Sequence, residues 1–295
     1  MAVTAAQVKE LREKTGAGML DCKNALSETD GDMEKAIDWL REKGIAKSIK
    51  KASRIAAEGL SKVLIDGNKA CIVEINSETD FVAKNEQFLN LLNTVAETIL
   101  KNNPADLDGA LALDVNGTSL KDEIINATAT IGEKIDLRRF EVIEKADDEI
   151  FGDYTHMGGS KTALVQLKGG DEQLAHYIAM QVASMSPLYV SSDEMPGDVV
   201  ERERKVQTEI VKNDEKFAGK PENVINGAIE GKVSKALKDM CLVDQEYFLD
   251  TNKKVSQVLK ENNAEVIKFV KYAVGEGIEK KEENFAEEVA KQMNV

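Results

Sequence analysis

The sequence predicts an α+β fold: a duplicated α+β core with antiparallel sheets, a three-helix module ahead of it, an inserted helical coiled-coil arm and a C-terminal helix. Three observations predict it. Residues 60–65 and 69–75 are apolar or alternating runs joined by Asp66-Gly67-Asn68, a hairpin signal, and an amphipathic helix follows at 86–100. The run from Asn68 to Ile75 compares with the run from Ser160 to Leu167, and each precedes an amphipathic helix, as in a degenerate repeat. Residues 197–217 and 222–240 form two long charged helices, too polar to make a core alone and suited to a paired arm.

Taken in order, residues 4–43 read as three short helices. Thr4 and Gln7 have capping-box spacing, Val8 and Leu11 begin an apolar face, and Gly16 ends the helix. The second helix offers Leu20, Ala25 and Leu26 for burial. Asp30-Gly31-Asp32 makes a turn and an N-cap. The third helix buries Ile37 and Leu40, with Trp39 at its edge, and stops at Gly44. Three helices this short share a marginal core.

The helix at 86–100 places Phe88, Leu92, Val95 and Ile99 on one face. After a polar stretch with Pro and Gly, Ser119 caps a helix carrying Ile124, Ile125 and Ile131, and a strand follows at 135–143. A strand at 153–157 turns at Gly158-Gly159 into one at 162–167. Gly169-Gly170 then leads to a helix with Leu174, Ile178, Val182 and Met185. In the arm, Pro221 fits the first position of the second helix. The expected seam sets Val199, Val206, Ile210 and Phe217 against Val224, Ile229, Val233 and Leu237. The chain returns to the sheet at 266–274 and ends in a helix from about Lys281. The expected divisions are 1–54, 55–147, 148–192 with 242–274, the arm at 193–241, and 275–295.

Composition narrows the function. No apolar run approaches the roughly 20 residues of a membrane helix, and the first residues lack the basic-then-apolar pattern of a signal peptide. A cytoplasmic location without membrane association is the expectation. A net charge of −14 disfavours direct nucleic-acid binding. Residues 1–54 carry +2, and Lys47, Lys50, Lys51 and Arg54 fall in 45–54 without an acid. That segment reads as a solvated helix or linker, with an RNA-binding patch as the alternative. Cys22, Cys71 and Cys241 lie too far apart for a Cys-x-x-Cys motif, so zinc and thioredoxin chemistry lack support. No phosphate-binding loop, dinucleotide fingerprint or nucleophile elbow occurs, and there are two histidines. The expectation is a non-enzyme with no cofactor and no bound metal.

The most informative run is Ser77-Glu78-Thr79-Asp80-Phe81-Val82-Ala83-Lys84-Asn85. Two readings are open. If Asp80 caps the helix, Phe81 lies seven residues before Phe88 on the buried stripe. If Asn85 is the cap, Asp80-Phe81 sits in a turn at the carboxyl end of a strand, an exposed ring beside an exposed acid.

This run resembles the signature of the bacterial elongation factor Ts family. So do Leu11 to Lys23, then Arg54-Ile55-Ala56-Ala57-Glu58-Gly59, then Val274-Gly275-Glu276-Gly277-Ile278-Glu279-Lys280. The four stretches run in family order across nearly the whole chain. The resemblance implies a guanine-nucleotide exchange factor for elongation factor Tu, with a ubiquitin-associated-type N-terminal module and a coiled-coil arm. It implies that Thr79, Asp80, Phe81 and Val82 disturb the magnesium site of that partner. Gly18, Met19, Asn85, His156, Gly275 and Glu276 would be further contacts, and homodimerisation is allowed. His176 reads as structural. The alternatives from other classes are an RNA or ribosome adaptor using 45–54 and a scaffold built on the N-terminal bundle.

Overall fold

The computed structural model describes residues 3–279. The helix expected from Lys281 lies outside them. Helix α1 (Ala5–Thr15) opens with the Thr4–Gln7 capping box and ends at Gly16, whose φ of 66° closes the last turn. Helices α2 (Met19–Glu28) and α3 (Met33–Lys51, capped by Asp32) complete the bundle. Its core is Val8, Leu11, Cys22, Ala25, Leu26 and Ala36. Two expectations fail here. Leu20 and Ile37 are exposed, because Ala25, Leu26 and Ala36 face the bundle axis instead. Nor does α3 stop at Gly44. It runs on to Lys51, and a Cβ at Gly44 would sit 3.3 Å from the Ala129 Cβ. The glycine is there for a close helix crossing and not for a terminus.

Strands β1 (Glu58–Asp66) and β2 (Lys69–Ser77) form the expected hairpin, and α4 (Glu86–Asn102) follows. Next come α5 (Leu107–Leu111), a two-residue hairpin of β3 (Asp114–Val115) with β4 (Thr118–Ser119), α6 (Leu120–Ile131) capped by Ser119, and β5 (Ile135–Glu144). β5 pairs antiparallel with β2, so the sheet order is β1-β2-β5. Ala129, which meets Gly44, belongs to α6, so the bundle rides on that helix.

The second half repeats this order. β6 (Glu149–His156) starts four residues before the expected strand and pairs with β7 (Lys161–Lys168), and α7 (Glu172–Met185) follows. Two arm helices come next, α8 (Gly197–Lys212) and α9 (Glu222–Asp239). Then follow a short hairpin of β8 (Glu246–Tyr247) with β9 (Asp250–Lys254), α10 (Val255–Glu261) and β10 (Glu265–Ala273). β10 lies antiparallel beside β7, giving the order β10-β7-β6. Each half is therefore hairpin, helix, helical insert, small hairpin, helix, third strand. The arm occupies the place α5 holds in the first half.

The arm closes at its base, where the Leu188 N–H donates to the Met240 carbonyl at 2.9 Å and the Val243 N–H to the Val190 carbonyl at 3.1 Å. Its seam is the expected one at Phe217, Ile229, Val233 and Leu237 and differs on the first helix. Val211, Ile229 and Val233 are buried, with Phe217 and Leu237 against them, while Val206, Ile210 and Val224 stay exposed. Val211 is one position past Ile210, which turns the packed face by about 100° on a 3.6-residue helix.

Strand alternation builds the core. Cys71, Val73 and Ile75 face α4 together with Phe88, Leu92, Val95 and Ile99. Ala70 and Ile72 point the other way, into a layer with Leu164, Val270 and Tyr272 of the second sheet. The sheets are also tied at Ser61, whose hydroxyl lies within hydrogen-bond distance of the Gly159 carbonyl (2.9 Å) and Thr162 Oγ1 (2.7 Å), and whose carbonyl accepts from the Thr162 hydroxyl (3.2 Å).

Candidate functional site

The central strand β2 is buried along eight of its nine residues, and its carboxyl end delivers the chain into the turn at 78–81. Asn85 is the cap of α4, its carboxamide oxygen accepting from the Gln87 N–H at 2.8 Å. The reading with Asp80 as cap is excluded. Between turn and helix, Val82–Lys84 makes one 3₁₀ turn.

Four ties hold the turn. Glu133 accepts from both the Thr79 N–H (2.9 Å) and the Thr79 hydroxyl (2.7 Å). The Ser77 hydroxyl donates to the Thr79 carbonyl at 3.0 Å. The Lys134 N–H donates to Glu78 at 2.6 Å, and Arg54 pairs with the same carboxylate at 3.2 Å. Val82 and Ala83 are buried in the first core. Val82 thus differs from its neighbours: it anchors the turn from inside and offers no surface.

What remains outside is Phe81, 80% exposed, with Asp80 beside it. Lys84 joins the two. Its ammonium lies 2.9 Å from the Asp80 carboxylate and 5.9 Å from the centre of the Phe81 ring. The hydrogen bond from Lys84 holds the Asp80 carboxyl below its ordinary range. Lys84 was missed in the sequence, although its spacing four residues from Asp80 is a legible ion-pair signal. Glu133, 54 positions from Thr79, carries no such signal.

The other candidate residues fall elsewhere on the molecule. Gly18 and Met19 stand at the start of α2, Gly18 as N-cap, with Met19 58% exposed. Neighbouring Asp21 is held by Lys47 at 2.9 Å. His156 ends β6, its Nδ1 3.2 Å from the Tyr154 hydroxyl, and exposed Met157 follows at a φ of 48°. His176 donates through Nδ1 to the Asp153 carbonyl at 2.7 Å and stacks edge-on against Tyr154.

Gly275 is buried. Its φ is 73°, a Cβ there would meet the Ala57 carbonyl oxygen at 2.1 Å, and its N–H donates to Glu74 at 2.9 Å. Fully buried Glu74 also receives Arg138 (2.9 Å) and Arg139 (2.6 Å). Burial opposes its charge, but the Gly275 N–H and the two guanidinium groups outweigh that and hold the carboxyl below the usual glutamate range. Exposed Glu276 lies 3.5 Å from Arg139 and 3.7 Å from Lys271, and its carbonyl accepts from Arg138. Gly275 and Glu276 therefore fasten the chain end to the first sheet.

In the basic segment, Lys47 pairs with Asp21, Lys51 donates to the Gly132 carbonyl, and Arg54 pairs with Glu78. These cations dock α3 on the rest of the chain. No cluster of His, Cys, Asp and Glu suited to a metal occurs among the described residues, and no described helix is long and apolar enough to cross a membrane.

The turn thus presents a protruding aromatic ring and a carboxylate to solvent on a braced backbone. Residues 78–276 match the family described as Elongation factor TS. The chain is 51% identical to Elongation factor Ts of Leuconostoc mesenteroides subsp. mesenteroides, over 99% of this chain and 100% of that protein. The chain belongs to the elongation factor Ts family, whose members are translation elongation factors.

Proposed function

We propose that this protein is a cytoplasmic guanine-nucleotide exchange factor that binds elongation factor Tu and promotes GDP release during translation elongation. The observation that carries the reading is Phe81, held in water on a turn whose other residues are all tied down. An exchange factor needs no catalytic group, no cofactor and no bound nucleotide of its own. It must bind the nucleotide-free partner more tightly than the nucleotide-bound one, and by linkage the same coupling free energy weakens the nucleotide.

The Phe81 ring inserts between helices of the nucleotide domain, and Asp80 disturbs the groups that orient its magnesium. Loss of the metal leaves phosphate charge uncompensated, and GDP leaves. Thr79 and Val82 serve from within, by fixing the turn. Gly18, Met19, Asn85 and His156 are secondary contacts. Gly275 and Glu276 act through the chain end they fasten. In this reading residues 1–54 are a ubiquitin-associated-type module and 193–241 a coiled-coil arm. Self-association through the arm is compatible with it, and direct nucleic-acid contact is not part of it.

The test is release of a fluorescent GDP analogue from purified elongation factor Tu against excess GDP. Release should accelerate with the concentration of this protein. Burying a phenylalanine is worth about 1.5–3 kcal/mol, so Phe81→Ala should slow exchange roughly 10- to 100-fold. The folded state, which does not bury the ring, should lose less than about 0.5 kcal/mol. Phe81→Ala and Asp80→Ala should lower the exchange rate more than the affinity. Equal losses would make both plain anchors. Unchanged GDP release with a cognate partner would refute the function.

A further inference from the structure

The connection from α6 to β5, residues 132–134, holds two separate parts of the chain. It opens at Gly132, whose φ of 93° closes α6. On one side it grips the turn that carries Asp80 and Phe81. The Glu133 carboxylate accepts from the Thr79 N–H and hydroxyl, and the Lys134 N–H donates to Glu78 at 2.6 Å. On the other side it grips the end of the N-terminal bundle. The Gly132 carbonyl accepts from Lys51, the last residue of α3, and the Lys134 ammonium donates to the Arg54 carbonyl at 3.2 Å.

Arg54 joins the two sides directly. It lies in the linker between α3 and β1, and its N–H donates to the Lys51 carbonyl at 2.9 Å. Its guanidinium lies 3.3 and 3.2 Å from the two Glu78 carboxylate oxygens. The Glu78 oxygen at 3.3 Å is also the one that receives the Lys134 N–H. Arg54, Glu78 and Lys134 therefore close a ring of three contacts between residues 24, 56 and 80 positions apart. Asp80 and Phe81 follow Glu78 by two and three residues.

Neither part needs Arg54 to stay in place. The bundle also packs on α6 through Gly44 at Ala129 and through Arg41, whose guanidinium is 2.6 Å from Asp122. The turn is anchored separately by Val82 and Ala83 in the first core and by Glu133 on Thr79. What the Arg54–Glu78 pair adds is a fixed relation between the bundle and the exposed ring. When two parts of a protein engage one partner, the second contact forms at an effective concentration set by the stiffness of the link between them.

We propose that Arg54 is a positioning residue which, acting through Glu78, fixes the Asp80–Phe81 turn relative to the N-terminal bundle. A partner held by the bundle then meets the Phe81 ring at a set place. The inference rests on the nucleotide-exchange reading and assigns Arg54 no contact with the partner. Loosening the link misplaces the ring, which lowers the rate in the bound complex and leaves the remote binding contacts intact.

The test is release of a fluorescent GDP analogue at rising concentrations of elongation factor Tu with the full chain in catalytic amount, which yields kcat and KM separately. Arg54→Ala should lower kcat about 2- to 5-fold, the scale of a partly exposed ion pair, with a smaller change in KM and an unchanged urea midpoint. Arg54→Lys keeps a cation for Glu78 and should recover part of the rate. Glu78→Gln should lower kcat as well, and adding Arg54→Ala to it should cost less than Arg54→Ala alone, because the two residues share one contact. Amide exchange across residues 78–81 of the free protein should be faster in Arg54→Ala. Wild-type kcat in Arg54→Ala, a loss confined to KM, or fully additive losses in the double variant would overturn the proposal while leaving the exchange function standing. No acceleration of GDP release by the wild-type chain would overturn both.

Discussion

Replacing Glu74 by glutamine isolates what holds the chain end on the first sheet. The substitution keeps the shape of the side chain and removes one charge from a fully buried site. Four donors converge there: the Arg138 and Arg139 guanidinium groups at 2.9 and 2.6 Å, the Gly275 N–H at 2.9 Å and Asn76 Nδ2 at 3.2 Å. Removing one partner of a buried ion pair costs about 3–5 kcal/mol. The arginines retain 24% and 31% side-chain exposure and recover part of their hydration, so the lower end, about 3 kcal/mol, applies. At about 2 °C or more per kcal/mol for a chain of this size, the midpoint should fall by roughly 6 °C or more.

The same substitution has a pH signature. The folded state holds the Glu74 carboxyl below its ordinary value of 4.5. Its contribution is therefore complete above that value and is lost as pH falls through the depressed one. Urea unfolding of both chains should show a gap of about 3 kcal/mol at neutral pH. The gap should narrow steadily below pH 4.5. A gap under 1 kcal/mol at neutral pH, or one that does not narrow with acid, would show that the two arginines do not depend on this carboxylate.

Glu133→Ala removes the two hydrogen bonds that Glu133 accepts from Thr79, leaving the one from the Ser77 hydroxyl, without touching Phe81 or Asp80. It should slow partner nucleotide release about 3- to 10-fold, equivalent to roughly 0.7–1.4 kcal/mol, with a smaller effect on affinity, whereas Glu133→Gln should restore part of the rate. Wild-type exchange by Glu133→Ala would mean the turn needs no brace. Gly152→Ala should be among the most destabilising single-methyl changes in the protein, because its Cβ would lie 2.2 Å from the Ala175 carbonyl carbon of α7. A loss of about 1–3 kcal/mol in urea unfolding is expected, and a neutral result would mean that α7 can slide away from β6.

The sequence revealed most where the deciding interactions are local, and least where they are long-range. The β1–β2 hairpin and α4 were legible because a two-residue period, a turn and a helical stripe each occupy a few consecutive positions. The repeat was legible for the same reason, although its full extent, down to the paired small hairpins β3–β4 and β8–β9, needed the strand order. The helix start was not legible. Asp80 and Asn85 are both good N-caps, and the choice falls to Asn85 because Val82 and Ala83 find the core while Thr79 finds Glu133. Gly44 read as a stop because a glycine costs a helix about 1 kcal/mol, but here its missing side chain admits Ala129. In the arm, Ile210 and Val211 are adjacent apolar residues that allow two seams, and only the partner helix selects between them. Glu74 is the clearest case. An acid inside an apolar strand looks like a defect until Arg138, Arg139 and Gly275 arrive from 64, 65 and 201 positions away. The exposed Phe81 follows from the same logic. The turn is held by groups distant in sequence, with Glu133 on Thr79 and Arg54 and Lys134 on Glu78, while Val82 and Ala83 fill the core and Phe81 is left outside.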